Sequence, residues 1–224
     1  IQYLHVCDDE ITSDLTEIES SITEEFVKEE PLSMIPRIDK ESYLLKVKQM
    51  LDHIHKGDIY EANFCMEYFC EDANINPVTT FSQLKEISEP PFAAFVRINK
   101  HYVLSASPER YLQKQGSKII SQPIKGTAKR SVDREEDDKI KEELRTSKKE
   151  RSENIMIVDL VRNDLSRTAE KASVTVEELC ALYSFKQVHH LVSTVTSHVQ
   201  DEFSGIDVLK TTFPMGSMTG APKI

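Results

Sequence analysis

Apolar residues recur at helical spacing in two stretches of the first quarter of the chain. Over residues 8–30 they lie three or four positions apart, which places them on one face of a helix. A second apolar face begins after Asp39, a good N-cap residue, and ends at Gly57, a common residue type at helix C-termini. This second face comprises Tyr43, Val47, Met50, Leu51 and Ile54. The pattern predicts two amphipathic helices, joined by a linker that contains Pro31 and Pro36.

Strand-like patterns follow further along the chain. We predict a strand over residues 59–69 and a long alternating strand over residues 188–199. Three other stretches are also typical of strands: PFAAFVRI, HYVLSAS and KIISQPI. The last two of these flank Gly116-Ser117, a dipeptide that suits a hairpin turn.

The remaining apolar residues predict further helices. One is expected near residues 80–87, one or two over the highly charged residues 133–165, and a short one over residues 207–213. A loop rich in glycine and proline follows at residues 214–223. Helices and strands come in blocks and not in strict alternation, which favours the α+β class.

The chain divides into a short N-terminal part and one larger domain. Residues 1–36 combine the tail of a strand over residues 1–7, the acidic helix and the linker, and residues 37–224 form the domain. The chain begins with isoleucine rather than methionine and stops at Ile224, directly after a turn-like Gly-Ala-Pro-Lys. We therefore expect a piece of a longer protein, with a fold that is incomplete at both ends.

The charge of the chain excludes two classes of function. The net charge is −10, from 38 acidic and 28 basic residues. Residues 8–30 contain ten carboxylates and one lysine, so the acidic helix carries nearly all of this charge and the remainder is close to neutral. A chain without a basic stripe is a poor nucleic-acid binder. No run approaches the length of about 18 apolar residues that a membrane span requires.

The cysteines indicate the redox compartment. Four are present, Cys7, Cys65, Cys70 and Cys180, and the chain has no secretory segment, which favours a reducing, cytoplasmic setting. Cys65 and Cys70 lie five residues apart in a strand-like run, so their side chains point to opposite faces. They fit neither a metal pair nor a disulfide, and we predict buried free thiols.

Five short stretches contain residues suited to chemistry. They are GDIYEANF (57–64), SASPER (105–110), PIKGT (123–127), ERSENIMIVDLVRNDLSR with VHHLVS (150–167 and 188–193), and FPMGSMTGAPK (213–223). Each is a weak signal alone, because most lysines are solvated and GSMTGAPK lacks the Gly-Lys-Ser/Thr of a phosphate-binding loop. His189 and His190 point to opposite faces of a strand, so they cannot share one metal ion.

Together and in this order, the five stretches resemble the chorismate-utilising family, which includes anthranilate, aminodeoxychorismate, isochorismate and salicylate synthases. The resemblance extends from about residue 39 to residue 224, more than four-fifths of the chain. It implies an α+β fold of β-sheets with helices packed outside them. It also implies a chorismate-binding catalytic domain whose C-terminal part lies beyond residue 224.

Two positions relate the sequence to particular members of that family. PIKGT contains Lys125, where aminodeoxychorismate synthases characteristically have lysine and anthranilate synthases a small residue. The water-activating lysine of isochorismate and salicylate synthases corresponds here to Glu61, where the ammonia-using members usually have glutamine. The sequence is thus most similar to aminodeoxychorismate synthase component I, of p-aminobenzoate and folate biosynthesis. Anthranilate synthase component I is the alternative within the family. The alternative from another functional class is a non-catalytic fragment that binds an amidotransferase or has a regulatory role.

The resemblance implies roles for individual residues. Lys125 would attack the chorismate ring and expel the C4 hydroxyl, for which it must be made neutral by burial or a nearby positive charge. Glu109 would be the general acid and base, preferably with a raised pKa, and His190 would orient the substrate or hydrogen-bond near the leaving group. A solvated lysine, a surface salt bridge and a core histidine are the respective alternatives. Residues that let backbone amides approach the substrate would be Gly216, Ser217, Thr219 and Gly220.

The predicted hairpin offers a way to bring two of these residues together. If Gly116-Ser117 forms a two-residue turn, Gln115 pairs with Lys118 and Glu109 falls opposite Ile124. This register sets the Glu109 carboxylate beside Lys125 in the next strand.

The resemblance also implies a cofactor and a partner. Chorismate is a dicarboxylate, and a Mg²⁺ ion held by Glu153 would neutralise one ring carboxylate, with Glu150 adding charge from the same helical face. The alternative for Glu153 is a solvated carboxylate on a charged helix. Ammonia would come from a separate glutamine amidotransferase subunit, since no cysteine here lies in a Gly-x-Cys-x-Gly context.

Overall fold

The computed structural model describes Thr16 and residues 32–223. The strand predicted over residues 1–7 and, apart from Thr16, the acidic helix lie outside the described residues, and the boundary after residue 36 stays a prediction. None of the helices described is both long and apolar enough to cross a membrane. Helices and strands occur in separate blocks, so the predicted α+β class is confirmed.

The elements are numbered in chain order over the described residues. The helices are α1 (Lys40–Lys56), α2 (Pro77–Ser88), α3 (Arg134–Thr146), α4 (Lys148–Ser166), α5 (Gly205–Thr212) and α6 (Gly216–Thr219). The strands are β1 (Ile35–Pro36), β2 (Glu61–Ala62), β3 (Tyr68–Phe69), β4 (Phe92–Ile98), β5 (His101–Ser107), β6 (Arg110–Gln115), β7 (Lys118–Gln122), β8 (Ile124–Lys129), β9 (Thr175–Ser184), β10 (Val188–His198) and β11 (Gly220–Ala221).

Strand β10 is the centre of an antiparallel five-stranded sheet. It pairs with β9 on one side, and on the other with β7 near its C-terminal end and β8 near its N-terminal end. Strand β6 extends the sheet beyond β7. Every residue of β10 from 189 to 197 is buried, so both faces of the strand are covered. The long strand predicted over residues 188–199 is confirmed.

Helix α4 packs its apolar side against this sheet. Ile157, Val158, Val161 and Leu165 are at most 8% exposed and form one cluster with Val195 of β10. Full burial of an aliphatic side chain of this size stabilises a fold by roughly 1.5–3 kcal/mol. The packing therefore holds α4 firmly on the sheet, and the helix also contacts β8, which carries Lys125.

A short antiparallel pairing joins distant parts of the chain. Glu61 and Ala62 of β2 pair with Ala221 and Gly220 of β11. The N–H of Tyr60 extends the pairing by donating to the Ala221 carbonyl at 2.8 Å. The motifs GDIYEANF and GSMTGAPK therefore lie side by side.

The helices predicted within residues 32–223 are confirmed, with small changes at their ends. The Asp39 carboxylate accepts from the Ser42 N–H at 2.8 Å to cap α1, and Gly57 ends the helix with a φ of 83°. Helix α2 begins at Pro77, earlier than predicted, because Asn76 caps it. Residues 133–165 form two helices, and the loop predicted over residues 214–223 contains the single turn of α6.

The strand predicted over residues 59–69 is wrong. Only β2 and β3 are strands in this region, and each pairs for two residues with a distant partner, β11 or β1. The burial of free thiols predicted here is also wrong for Cys65, which is exposed, while Cys70 is half-buried. Residues 59–69 lack a long neighbouring strand. They therefore form no continuous ladder of backbone hydrogen bonds that would bury their side chains.

The hairpin turn at Gly116-Ser117 is confirmed, but one of its predicted strands is different. Strand β5, the stretch HYVLSAS, pairs with β4, and the additional strand β6 pairs with β7 across the turn. Strand β9 was not predicted either. It has five consecutive exposed residues at its start and shows no clear alternation, so its sequence lacks the period of a half-buried strand.

Truncation of a buried residue of α4 tests the core. Ile157 is 0% exposed, so Ile157→Ala should lower the free energy of unfolding by about 2–5 kcal/mol through lost burial and a cavity. Ile155→Ala is the matched control, because Ile155 lies on the same helix and is 45% exposed. Urea denaturation should show a much smaller loss for the control, and equal losses would contradict the packing described here.

Candidate active site

Lys125 lies in β8 with its side chain 18% exposed. Its carbonyl oxygen accepts a hydrogen bond from Asn154 Nδ2 of α4 at 3.1 Å, which fixes the backbone at this point. Gly126 follows with a φ of 92°, and a Cβ there would lie 3.1 Å from both Glu150 Cβ and Leu191 Cδ1. The PIKGT motif therefore requires glycine, because its backbone is left-handed and closely packed.

The immediate neighbour of the Lys125 amine is an acid. Lys125 Nζ lies 3.0 Å from Glu61 Oε1, and both side chains are largely buried, at 18% and 17% exposed. The contact is an ion pair rather than a well-directed hydrogen bond. The expected burial is present, but the alternative requirement of a nearby positive charge is not met by this neighbour. Glu61, whose role the sequence did not reveal, is thus part of the site.

Glu109 lies just before β6 and reaches the start of β8. Its Oε1 accepts from the Ile124 N–H at 2.8 Å, so the predicted approach to Ile124 is confirmed. Gln115 pairs with Lys118 as expected, although a bulge between Arg110 and Gln113 shifts the register further along the hairpin. Glu109 is therefore not opposite Ile124 in the predicted register, and the two residues meet through the Glu109 side chain.

Burial raises the pKa of the Glu109 carboxyl above its ordinary value, as the sequence analysis required of a general acid. The Ile124 N–H, the Ser217 hydroxyl and the positive charge of Lys125 oppose this rise. Burial outweighs them because removing a carboxylate from water disfavours its charged form. The structure therefore brings Glu109 into electrostatic contact with Lys125.

The stretch from Gly216 to Gly220 packs against helix α4, and its Ser217 lies next to Glu109. A Cβ on Gly216 would lie 2.6 Å from Leu160 Cδ2, so a side chain at this position would require Leu160 to move. Ser217 is 6% exposed, and its hydroxyl faces Glu109 without a well-directed hydrogen bond. The Thr219 hydroxyl turns back to the Met215 carbonyl at 3.3 Å. The structure thus brings Ser217 to Glu109, whereas substrate contacts for all four residues stay a prediction.

The two histidines point to opposite sides, as expected. His189 Nε2 lies 2.9 Å from Asp137 Oδ1 on one side, in a fully buried structural pair. His190 Nδ1 lies 2.9 Å from Thr127 Oγ1 on the other side, and its ring packs edge-on against Phe185. Burial lowers the pKa of His190, which favours the neutral ring. Its neighbour Thr127 is two residues along β8 from Lys125, and a role in orienting substrate stays a prediction.

Glu150 and Glu153 lie near the N-terminus of α4. Lys149 Nζ is 3.3 Å from the Glu150 carboxylate and 3.4 Å from that of Glu153. Glu153 lines an open cavity of about 410 Å³ together with Tyr60, Glu61, Ser152 and Met156. Glu150 packs against Gly126 instead. Of the two, Glu153 is the one positioned on the cavity.

A magnesium ion would find few protein ligands in this part of the chain. Residues 32–223 hold no cluster of three or more His, Cys, Asp or Glu side chains with metal-binding geometry. Mg²⁺ nevertheless retains several waters and commonly binds through one or two carboxylates. The chemistry of Glu153 fits such a single ligand, and Glu150 remains a predicted contributor of charge.

Asn154 is a second residue that the sequence analysis did not select. It is 1% exposed, and its Nδ2 bridges the carbonyls of Lys125 and Leu191 at 3.1 and 3.0 Å. It lies three and four residues before Ile157 and Val158, on the buried face of α4. An amide on a buried helical face must find hydrogen-bond partners, and this is the signal that could have identified it.

Comparisons with known proteins agree with this geometry. A family model described as chorismate binding enzyme matches residues 5–224. The chain belongs to the chorismate binding enzyme family. The resemblance inferred from the sequence is confirmed at this level, and the chain carries the enzyme domain of that family.

Members of the family with close sequences include two aminodeoxychorismate synthase component 1 proteins. That of Klebsiella aerogenes is 42% identical over 187 residues, which cover 84% of this chain and 41% of the relative. That of Escherichia coli strain K12 is 41% identical over 185 residues, or 83% of this chain and 41% of the relative. The chain thus spans about two-fifths of the length of these curated relatives.

A solved structure supports the same fold. The crystal structure of anthranilate synthase component I from Streptococcus pneumoniae TIGR4 matches with a TM-score of 0.82 and 26% sequence identity. The match covers 97% of this chain and 49% of the other. The predicted fold of the chorismate-utilising enzymes is therefore confirmed.

The raised pKa of Glu109 predicts a pH-dependent effect on stability. Above its folded-state pKa the buried carboxylate destabilises the fold, and this penalty disappears as pH falls through that pKa towards the unfolded value. Glu109→Gln should therefore unfold at higher urea concentration than the wild type at pH 7, with the difference closing as the solution is acidified. Glu143→Gln, at a side chain 66% exposed, is the control and should show little change at either pH. A gap that widens on acidification would contradict the assigned direction.

Proposed function

We propose that this chain is the chorismate-binding part of an aminodeoxychorismate synthase component I, which aminates chorismate at C4 to give 4-amino-4-deoxychorismate. The observation that carries the proposal is the largely buried Lys125 beside Glu109, whose carboxylate is bound to the Ile124 N–H. Identities of 41–42% to relatives of that name support the same assignment.

Replacement of the C4 hydroxyl requires acid catalysis, because hydroxide is a poor leaving group. Glu109 would protonate the departing oxygen, and its raised pKa favours the protonated form that this step needs. Lys125 would attack the ring as a neutral amine, and ammonia would then displace the lysine nitrogen and restore the free side chain. His190 would orient the ring from the Thr127 side of β8.

Chorismate brings two carboxylates into a cavity that Glu61 and Glu153 already line. We propose that Glu153 holds a Mg²⁺ ion, which would neutralise one ring carboxylate when bound. Glu150 would add negative charge behind it. Gly216, Ser217, Thr219 and Gly220 would lie near a substrate carboxylate, with the permissive glycines allowing close backbone approach.

The ammonia source would be a separate glutamine amidotransferase subunit, and the pathway folate biosynthesis in the cytoplasm. None of the three cysteines in the described part of the chain is placed as an amidotransferase nucleophile. Cys180 is buried, and burial raises the pKa of its thiol, which disfavours the reactive thiolate. Cys65 lies in the segment between β2 and β3, and Cys70 directly follows β3.

Anthranilate synthase component I is the second candidate, because a solved structure of that name shares this fold. It would release pyruvate, whereas the proposed reaction retains the side chain of chorismate. Incubation of the full-length protein with chorismate, Mg²⁺ and ammonium should give aminodeoxychorismate by mass spectrometry. Anthranilate together with pyruvate would replace the proposal by this second candidate, and no product from chorismate would favour a binding or regulatory role.

A covalent route predicts an adduct on Lys125. In the absence of ammonia, the full-length protein should gain the mass of dehydrated chorismate, and Lys125→Ala should abolish this adduct because it removes the attacking nitrogen. Lys129→Ala is the matched control, since Lys129 is an exposed lysine on the same strand. Intact-mass spectrometry makes the comparison, and an undiminished adduct in Lys125→Ala would exclude Lys125 as the nucleophile.

A further inference from the structure

An ion pair near the C-terminal end of α4 takes no part in the reaction proposed above. Lys223 Nζ lies 2.5 Å from Asp164 Oδ2, and the two side chains are 15% and 6% exposed. Lys223 Nζ also donates a hydrogen bond to the Thr212 carbonyl. The Arg162–Asp159 pair on the same helix is far more open, with side chains 51% and 79% exposed. Breaking a buried pair leaves a charge without compensation, whereas water solvates an exposed one. The buried pair is therefore the stronger attachment.

The buried pair attaches a stretch of chain that we call the 216–223 segment, which runs from α6 through β11 to Lys223. Its first residue, Gly216, packs closely on α4, because a Cβ there would lie 2.6 Å from Leu160 Cδ2. Its last residue, Lys223, is held by Asp164. Leu160 and Asp164 are four residues apart, so they lie on the same side of the helix. Helix α4 therefore holds both ends of the segment.

Between these two ends, the segment is hydrogen-bonded to the backbone around Glu61. The Tyr60 N–H donates to the Ala221 carbonyl at 2.8 Å. The Asn63 N–H donates to the Thr219 carbonyl at 2.9 Å. Glu61 lies between these two donors, and it pairs with Ala221 in the β2–β11 ladder. The position of the segment on α4 therefore determines where the Glu61 backbone lies.

Two contacts with the candidate catalytic residues depend on this arrangement. Glu61 Oε1 lies 3.0 Å from Lys125 Nζ. Ser217, within the segment, faces Glu109, and its hydroxyl opposes the rise in the pKa of that carboxyl. Both contacts are made by residues that the segment carries or holds by hydrogen bonds. A shift of the segment would therefore disturb both contacts at once.

We propose that Asp164 is a positioning residue for the active site, which acts through Lys223. The ion pair fixes the 216–223 segment on α4, and the segment in turn sets Glu61 against Lys125. The effect on catalysis rests on the proposed function, whereas the effect on the position of the segment does not.

Hydrogen exchange of the ligand-free, full-length protein tests the attachment. Mass spectrometry of a peptide with residues 58–64 follows the amides of Tyr60 and Asn63, which donate to the segment. Their exchange rates are taken relative to those of the β10 amides, which report opening of the core. In Asp164→Asn this ratio should rise by about tenfold or more, because a segment that has lost a buried partner opens more often by itself. A role confined to overall stability would not raise the ratio, and an unchanged or lower ratio would overturn the proposal.

Asp159→Asn is the matched control, because it makes the same change in an exposed ion pair on the same helix. It should leave the ratio unchanged. Lys223→Met should reproduce the effect of Asp164→Asn, and the double variant should show no further rise, because either change alone breaks the attachment. Single effects that add in full would show that the two residues act independently, which would contradict the proposal.

Lys223→Met by itself covers the case in which Asp164→Asn fails to fold. In that variant Asp164 keeps a charged neighbour, because Arg167 Nη2 lies 4.0 Å from its Oδ1. The ratio should again rise, and an unchanged ratio in Lys223→Met would equally overturn the proposal.

Kinetics with chorismate, Mg²⁺ and ammonium separate this proposal from the proposed function. At a temperature where the variants stay folded, Asp164→Asn should lower kcat by about tenfold or more, because displaced catalytic groups react poorly. Asp159→Asn should keep the wild-type kcat. A wild type that converts no chorismate would contradict only the proposed function, since the exchange ratio does not depend on turnover. Conversion with an unchanged kcat in Asp164→Asn would overturn the positioning role of Asp164 alone.

Discussion

The hydrogen bonds of one buried amide hold the site together. Asn154 donates to the carbonyls of Lys125 in β8 and Leu191 in β10, and its oxygen accepts from the Ser193 hydroxyl. The Cys180 thiol of β9 also approaches that oxygen, at 3.6 Å. Four elements thus meet at one side chain that is 1% exposed. Loss of the amide would leave several buried groups without partners, which costs more than a single exposed hydrogen bond.

The electrostatics of the site depend on which acidic side chains the fold brings close to Lys125. The chain has a net charge of −10, but the sequence concentrates that charge over residues 8–30. Within the site itself, Glu61 and Glu109 both act on Lys125, and the two acids differ in environment. Burial favours the neutral acid at Glu109, whereas Glu61 lies in direct contact with the Lys125 amine. Two glutamates in one site can therefore have different roles because their surroundings differ.

Sequence patterns were reliable where a structure depends on neighbouring residues. The α1 cap at Asp39, the turn at Gly116-Ser117 and the alternation of β10 each follow from local chemistry, and each is confirmed. The hairpin argument also placed Glu109 near Ile124, but a bulge between Arg110 and Gln113 shifts the predicted register, so the contact is made by the Glu109 side chain and not by strand pairing. Residues 59–69 were not predictable in this way, because their short pairings are with remote strands.

The same distinction explains which part of the site the sequence could not reveal. Glu109 and Lys125 lie 16 residues apart, at the two ends of the predicted hairpin, so a local argument brings them near each other. Glu61 reaches Lys125 only because β2 pairs with β11, which follows it by about 160 residues. That pairing depends on Gly220, where any side chain would collide with the Glu61 carbonyl. The acidic neighbour of Lys125 in PIKGT is therefore set by the contact between GDIYEANF and GSMTGAPK, and no one of these motifs specifies it alone.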